Sequence, residues 1–383
     1  MSSAPLPSAS PLNRRTWLKA TGLAAAGLAL GTPARVAAQH EADRSAGPSG
    51  PAKISGNENP YGPSALATMA IMQQVENAAR YPSAGDVRRL VELIAAKNGV
   101  SPDQVLLGNG SSEVLSDYAT WLTRKSGPGE VVTALPGYLK FTESMAQLGS
   151  KIVTVPTDAN LVHDLDTMAA KIGPDTKCVY ICNPNNPTST IVPADRLKAF
   201  AIEASKRCPV FVDEAYLELS DRYEENTMAP LVAAGHNVVV ARTFSKMYGM
   251  AGVRMGYGLM PADDAKGAST VNSNHLGVLA VAAAIASLED DAYVVETRAK
   301  VKAERDKLCA LLKQLGRKYA EPQGNFVFVH TGMPVRMFQE KMAAENVLVG
   351  RAFPPALDWC RISIGLPEEM AMCHAALKKV FAA

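Results

Sequence analysis

The stretch "KCVYICNPNNPTSTIVPADRLKAFAIEASKRCPVFVD", residues 177–213, decides the fold class. It begins and ends with short apolar runs rich in β-branched residues, which is typical of strands buried on both faces. Between these runs, Pro193 precedes apolar residues at helical spacing, and this pattern predicts a helix. A strand, a helix and a second strand in this order form a right-handed crossover, so the two strands are parallel. The sequence therefore predicts an α/β fold.

The rest of the chain predicts two α/β domains. "NVVVART" (237–243) has the composition of another buried strand, and a long helix with a charged face begins near residue 291. Shorter strands and helices alternate after it, which predicts a smaller C-terminal domain. The segment 39–53 is polar and rich in Gly, Pro and Ser, as flexible linkers are. We therefore predict a linker (39–53), an N-terminal arm (54–82), a large three-layer α/β/α domain with a mostly parallel sheet (83–290), and a smaller α/β domain (291–383).

The first 38 residues have the order of an export signal. Arg14 and Arg15 precede a short apolar run, and the small residues "VAA" precede Gln39. The paired arginines resemble the twin-arginine signal of bacteria, whose route carries folded proteins. The apolar run is too short and too weakly hydrophobic to span a bilayer permanently. We expect a protein that folds in the cytoplasm, is exported to the periplasm and does not stay in the membrane.

Charge and histidine spacing exclude two classes of partner. After residue 38 the chain carries 35 basic and 37 acidic residues, so its overall charge does not favour nucleic acid. The six histidines are scattered and lack the spacing of metal ligands, so we predict no metal site.

Chemically active side chains follow three of the predicted strands. Asn186 follows the first strand, Asp213 and Tyr216 end the second, and Ser245 and Lys246 follow the third. In an open parallel sheet the ligand crevice lies beyond the carboxyl ends of the strands, so we expect these groups to converge there. A buried lysine is costly unless it is paired or has chemistry to perform. The pattern indicates a ligand that uses the Lys246 amine.

A second group of residues predicts an anion site. Gly110, Ser111 and Ser112 stand where a strand turns into an amphipathic helix, and the backbone N–H groups of such a helix start bind phosphate well. A Gly-Ser helix start is common and is weak evidence when it stands alone. Together with Ser245 and Arg254, it predicts a phosphate cradle built from two segments.

Pyridoxal phosphate is the cofactor that needs a lysine amine, a carboxylate and a phosphate site. Lys246 would form the Schiff base and, once displaced by substrate, act as the general base. Asp213 would keep the pyridine nitrogen protonated. Asn186 and Tyr216 would hydrogen-bond the ring oxygen, and Tyr138 would stack on the ring face.

Eight motifs together resemble class I/II aminotransferases of fold type I, and among them histidinol-phosphate aminotransferases. The resemblance covers about residues 54–383 and implies a homodimer with active sites at the subunit interface. Tyr81 would then reach the cofactor phosphate of the neighbouring subunit, and Tyr61 its substrate site. By the same matching Arg361 would bind the anionic end of the substrate, with Asn57 and Arg351 as further substrate contacts. The motifs are "GNENPYGPS", "RYPSAGDVRRL", "GNGSSEVL", "PGY", "NPNNPT", "VDEAY", "TFSKMYGMAGVRMGYG" and "RISIG".

Taken singly, these residues have ordinary structural interpretations. Asp213 also suits a solvated turn or a helix cap, Tyr216 and Tyr138 suit core or rim aromatics, and Arg361 suits a surface ion pair. Their joint occurrence in the order of the family favours the cofactor interpretation. Two departures concern phosphate: Ser112 stands where the family commonly has an acidic residue, and Arg351 lies in an unusual Gly-Arg-x-Phe phrase.

The predicted reaction is amino transfer between an amino acid or histidinol phosphate and a 2-oxo acid. A bidentate guanidinium accepts either a carboxylate or a phosphate, so both donors stay open. For an exported enzyme, an aromatic or other ordinary amino acid is the physically simpler donor. Two alternatives use the same Lys246: a lyase or cyclase acting on an amino acid, and a cofactor-binding sensor without turnover.

Overall fold

The computed structural model describes residues 50–271 and 275–382. The predicted export signal (1–38) and residues 39–49 of the predicted linker lie outside the described residues. The strands, in chain order, are β1 Ala52–Ile54, β2 Val105–Gly108, β3 Glu130–Leu135, β4 Lys151–Pro156, β5 Thr176–Cys182, β6 Val210–Asp213, β7 Val238–Thr243, β8 Gly256–Leu259, β9 Phe326–His330, β10 Val347–Val349 and β11 Trp359–Ser363.

Strands β2 to β8 form one seven-stranded sheet in the order β2-β8-β7-β6-β5-β3-β4. The neighbouring pairs from β7 to β4 are parallel, while β8 runs antiparallel to both β2 and β7. β5, the helix Ala194–Ser205 and β6 form the crossover that the sequence indicates. The predicted α/β fold with a mostly parallel sheet is confirmed.

Helices cover both faces of this sheet. Along β5, Cys178 and Tyr180 belong to the core on one face, while Val179 and Ile181 belong to the core on the other. A strand buried on both faces cannot show an alternating polar pattern, which explains its continuous apolar run. The α-helices are Ala65–Gln74, Ala84–Asn98, Ser111–Ser126, Lys140–Gln147, Leu165–Ala170, Ala194–Ser205, Tyr223–Asn226, Ala229–Ala233, Ala262–Ala268, Val278–Leu288, Asp291–Gln314, Val335–Ala344 and Pro367–Ala382, with 3₁₀ turns at Val75–Ala79, Pro102–Gln104 and Leu217–Leu219.

The C-terminal part contains two smaller strand pairs. β9 and β11 are antiparallel, and β1 pairs in parallel with β10. The predicted linker therefore ends too late, because Ala52 and Lys53 already belong to β1. Ala52 and Ile54 face the core while Lys53 is exposed. Three residues are too few to show a strand period, so β1 could not be recognised within a polar, Pro-rich segment.

The described residues contain no helix that is both long and apolar enough to cross a membrane.

Candidate active site

The last residue of β6, Asp213, is a buried carboxylate at the centre of the sheet edge. It lies in register with Cys182 on β5 and Ala241 on β7. The Tyr180 hydroxyl donates to Asp213 Oδ2 at 3.0 Å, and the backbone N–H of Ala215 donates to Oδ1 at 3.1 Å. Burial raises the pKa of Asp213 to about 6, although both hydrogen bonds lower it. The carboxylate is thus fixed in place and desolvated.

Lys246 lies beyond the end of the neighbouring strand, β7. Its Nζ is 5.5 Å from the centroid of the Tyr216 ring. The pKa of Lys246 is lowered to about 8, chiefly by burial and also by the positive charges of Arg361 and Arg254, whereas Glu58 and Asp213 act to raise it. At such a pKa, a neutral amine is available near physiological pH, as a nucleophile or a base requires.

A chain of hydrogen bonds links Tyr216 to Arg361. The Tyr216 hydroxyl accepts from Asn57 Nδ2 at 3.2 Å and from Asn186 Nδ2 at 3.4 Å. Arg361 Nη1 donates to Asn186 Oδ1 at 2.7 Å, and its Nη2 donates to the carbonyl of Ser55 at 2.7 Å. Among the described residues, nothing accepts from the buried Arg361 Nε. The structure therefore joins the predicted residues Asn57, Asn186 and Tyr216 to Arg361, whose guanidinium keeps one free donor.

Ser363 is a member of this site that sequence reasoning missed. It lies two residues after Arg361 on β11, so both side chains fall on the same face of the strand. The backbone N–H of Asn57 donates to Ser363 Oγ at 2.9 Å, and Ser363 Oγ donates to Asn57 Oδ1 at 2.7 Å. Ser363 thereby fixes the amide that bonds Tyr216. The signal available in the sequence was the two-residue spacing from Arg361, which places both side chains on one face of a strand.

The two predicted halves of the phosphate cradle meet in the structure. Gly110 is the N-cap of the helix Ser111–Ser126 and has a φ of 86°. Arg254 Nη2 donates to the carbonyl of Asn109 at 3.2 Å, and its Nη1 donates to Ser245 Oγ at 3.3 Å. A Cβ at position 110 would overlap Arg254 Nη2. Only glycine lets the guanidinium come this close to the helix start.

Glu113, in the first turn of the helix Ser111–Ser126, borders the phosphate cradle. Sequence reasoning did not predict it. Its Oε2 accepts from the backbone N–H of Asn109 at 2.6 Å and from Asn109 Nδ2 at 3.1 Å. This contact fixes the turn whose carbonyl holds Arg254. An acidic residue in the first helical turn is a recognisable capping signal.

Tyr138 lies near both Asp213 and the cradle. Burial raises the pKa of Tyr138, and the Asp213 carboxylate raises it further, whereas a hydrogen bond with the Ser112 side chain lowers it. Ser112 thus influences the pKa of Tyr138, a predicted cofactor-stacking residue, through its side chain.

Arg351 is exposed and lies apart from the buried hydrogen-bond chain. Its Nη1 donates to the carbonyl of Ala352 at 3.0 Å, and its guanidinium lies 4.3 Å from the centroid of the Phe353 ring. The Arg361 guanidinium lies 4.9 Å from the same ring. Phe353, which sequence reasoning missed, thus joins the two arginines.

Tyr61 and Tyr81 lie away from Lys246 in the described contacts of this chain. Lys300 Nζ is 5.2 Å from the centroid of the Tyr61 ring, and burial raises the pKa of Tyr61 to about 12. Tyr81 is 73% exposed, and its ring centroid is 4.3 Å from that of His275.

Comparison with known proteins places this chain in a family. The model of the family "Aminotransferase class I and II" matches residues 52–377. A histidinol-phosphate aminotransferase of Moorella thermoacetica is 34% identical over 335 residues, with 86% of this chain and 85% of that protein covered.

Solved structures agree with this assignment. The crystal structure of a putative histidinol-phosphate aminotransferase from Erwinia carotovora atroseptica is 32% identical, with a TM-score of 0.81 and coverage of 86% of this chain and 95% of that one. A histidinol-phosphate aminotransferase from Sinorhizobium meliloti, solved in complex with pyridoxal-5'-phosphate, is 29% identical, with a TM-score of 0.78 and coverage of 92% and 95%. The chain belongs to the class I and II aminotransferases.

Proposed function

We propose that this chain is a pyridoxal-phosphate-dependent aminotransferase that transfers an amino group from an amino compound with an anionic end to a 2-oxo acid. The observation that carries the proposal is the Lys246 amine beyond the end of β7: its pKa is lowered, and its Nζ lies 5.5 Å from the centroid of the Tyr216 ring. The charges of Arg361 and Asp213 both act on this amine. When bound, pyridoxal phosphate supplies an aldehyde and an electron-withdrawing ring. The Sinorhizobium meliloti relative contains that cofactor.

The residues at the edge of the sheet fit this cofactor. Glycines line the cradle at two points: a Cβ at Gly110 would overlap Arg254, and a Cβ at Gly256 would overlap the backbone nitrogen of Ser111. The cradle therefore leaves N–H groups and a guanidinium close together, which suits a phosphate. Asp213 supplies a buried carboxylate for a protonated ring nitrogen.

Each remaining residue has a task that its contacts support. Lys246 Nζ would take the proton from the α-carbon of the amino donor and pass it to the cofactor carbon, and it would carry a proton in the opposite direction in the reverse half-reaction. Asn186 and Tyr216 would hydrogen-bond the ring oxygen of the cofactor, and Tyr138 would cover one ring face. Arg361 binds the anionic end of the substrate through its free Nε and the N–H groups that now bond Ser55.

The donor is either an α-amino acid or histidinol phosphate. The named relatives at 29–36% identity favour histidinol phosphate. Arg351 and Arg361 both contact the Phe353 ring, so a second cation is available near Arg361 for a doubly charged phosphate. An enzyme exported from the cytoplasm would meet amino acids more readily.

A single-turnover absorption experiment tests the reaction and the donor. Purified protein loaded with pyridoxal phosphate is mixed in turn with histidinol phosphate and with a panel of amino acids. Conversion to the aminated cofactor by histidinol phosphate alone identifies the donor, whereas conversion by aromatic or other amino acids assigns Arg361 to a carboxylate. Release of ammonia instead of a keto product would contradict amino transfer and favour a lyase, and a spectral change without turnover would favour a sensor.

The active enzyme is a homodimer in which Tyr81 serves the neighbouring site. Leu66, Met72, Val75 and Tyr81 expose apolar surface along one stretch of chain, as an unpaired interface does. Mixing Lys246→Ala with Tyr81→Ala protein tests this arrangement. A mixed dimer regains one intact site only if Tyr81 acts across the interface, so recovered activity is expected. No recovery would place Tyr81 in its own site or outside any site. Tyr61 can be tested in the same way.

Export follows the twin-arginine route. The support is the sequence around Arg14 and Arg15, which also carries the order of a cleavable signal. Changing both to lysine is expected to hold the protein in the cytoplasm, as cell fractionation would show. The matched control changes Arg88 and Arg89, a second arginine pair, which is exposed in the folded part. Continued export of the first variant would indicate the general secretory route.

A further inference from the structure

Arg242 and Glu214 form a buried ion pair that the proposed chemistry does not use. Their side chains are 1% and 0% exposed. Glu214 Oε2 accepts from Arg242 Nε at 3.0 Å and from Arg242 Nη2 at 2.8 Å. Two N–H groups of one planar guanidinium thus converge on a single carboxylate oxygen, which constrains the orientation of the pair as well as its distance.

Polar neighbours bind the remaining donors of Arg242 and the second carboxylate oxygen of Glu214. Arg242 Nη1 donates to Asn98 Oδ1 at 2.8 Å and to the Tyr223 hydroxyl at 2.6 Å, while Nη2 also donates to Thr227 Oγ1 at 2.6 Å. Glu214 Oε1 accepts from the backbone N–H of Met228 at 2.6 Å. All the guanidinium nitrogens and both carboxylate oxygens are bonded, so the pair belongs to a fully satisfied hydrogen-bond network.

The pair joins the two strand ends that carry the proposed catalytic groups. Glu214 directly follows Asp213, and Arg242 lies on β7 four residues before Lys246. The backbone N–H of Glu214 also donates to the carbonyl of Ala241 at 2.9 Å, just beyond the last ladder pair of β6 and β7. The bridge therefore lies where the ladder ends and the loops to the site begin.

Stability alone is a poor reason for this pair. A buried ion pair gains little over well-packed apolar side chains, because desolvation offsets the attraction between the charges. Unlike apolar contacts, the hydrogen bonds of the ion pair depend on the relative orientation of the two side chains. We propose that Glu214 and Arg242 are positioning residues, whose bridge fixes the end of β6 against the end of β7 and so sets the separation between the Asp213 carboxylate and the Lys246 amine. This inference rests on the roles proposed above for Asp213 and Lys246.

Three variants separate positioning from stability. Arg242→Lys keeps the charge but offers one nitrogen in place of the two that bond Glu214 Oε2. Glu214→Gln keeps the shape and removes one charge. The double variant Glu214→Met with Arg242→Met replaces the bridge by apolar packing. Thermal unfolding gives the stability of each, and titration with pyridoxal phosphate, followed by absorption well below the unfolding temperature, gives the dissociation constant.

We expect the dissociation constant for pyridoxal phosphate to rise roughly tenfold or more in all three variants, and kcat to fall more than KM changes. In the double variant we expect the affinity for pyridoxal phosphate to stay low even if the unfolding temperature is as high as that of the parent protein. If both the affinity and the unfolding temperature of the double variant match those of the parent protein, the pair acts through stability and the proposal is wrong. If the double variant does not fold, unchanged affinity in Arg242→Lys overturns the proposal equally.

A second buried arginine provides the matched control. Arg305 is also buried; its Nη2 donates to Asp221 Oδ2 at 3.2 Å and its Nη1 to the carbonyl of Gly324 at 3.1 Å. Arg305→Lys is expected to lower the unfolding temperature without changing cofactor affinity. An equal loss of affinity in this control would make the effect general and overturn the proposal. Failure of the parent protein to bind pyridoxal phosphate would instead contradict the proposed function.

Discussion

The guanidinium of Arg361 donates a 2.7 Å hydrogen bond to the side-chain oxygen of Asn186, which lies 175 positions earlier in the chain. The same amide directs its nitrogen to the Tyr216 hydroxyl. A substrate anion that binds Arg361 would therefore act on a group that also directs a hydrogen bond toward the proposed cofactor site. In the proposed site, substrate binding and cofactor electronics would be linked through a single amide.

Replacing Arg361 by alanine should weaken substrate binding strongly. Loss of hydrogen bonds to a charged group costs about 2–3 kcal/mol, so KM should rise roughly 30- to 150-fold. Steady-state kinetics measures the effect. Arg351→Ala is the control, since its guanidinium is exposed, and it should raise KM only for a phosphorylated donor. An unchanged KM in Arg361→Ala would remove Arg361 from substrate binding.

Replacing Lys246 by alanine should abolish the visible absorption band of lysine-bound cofactor. The reason is that Lys246 is the amine with a lowered pKa at this edge of the sheet. Absorption spectra of the loaded variant test this expectation. A band that persists would mean that another lysine holds the cofactor.

The capture of pyridoxal phosphate by the apoprotein should depend on pH with a midpoint near 8. The neutral amine reacts with the aldehyde, and burial lowers the pKa of Lys246 to about 8 from its ordinary value of 10.5. The capture rate should therefore rise as pH approaches 8 and level off above it, as stopped-flow absorption would show. A rate that keeps rising to pH 10 would contradict a lowered pKa.

The Glu58 carboxylate should influence that midpoint. Glu58 raises the pKa of Lys246, so Glu58→Gln is expected to move the midpoint to lower pH. Glu92→Gln makes the same charge change at an exposed position of the helix Ala84–Asn98 and should leave the midpoint in place. Equal shifts in the two variants would indicate a general effect of net charge.

Gly110→Ala should reduce affinity for the cofactor phosphate. The added Cβ would overlap Arg254 Nη2, so the guanidinium must leave the cradle. Loss of a charge-assisted hydrogen bond costs about 1.5–3 kcal/mol, which corresponds to a roughly tenfold or greater rise in the dissociation constant. Gly99 offers a matched control, because it also has a positive φ of 65° but has no atom within 4 Å of an added Cβ. Similar loss of affinity in Gly99→Ala would assign the effect to backbone strain.

Much of the architecture could be read from local patterns. The predicted strands at 177–182, 209–213 and 237–243 match β5, β6 and β7 within one residue at either end. Apolar runs and helical spacing are short-range signals, so they survive in one sequence without structural information. The residues at the carboxyl ends of these strands, such as Asp213 and Lys246, followed directly from strand position.

The partners of those residues could not be read in this way. Ser363 bonds Asn57 across 306 positions, and Phe353 joins Arg351 to Arg361 through side-chain packing. The roles of Tyr61 and Tyr81 at a neighbouring subunit stay predictions, since they depend on a second chain.

The sequence by itself determined the α/β class and the strand ends, and it predicted which residues there are chemically active, because strand and helix periods and turn residues act over a few positions. Only the tertiary structure decided that β1 pairs with β10, that Arg361 bonds Asn186 and that Glu214 bridges to Arg242. These contacts join distant parts of the chain. They depend on how whole elements pack, and no local period in the sequence encodes that packing.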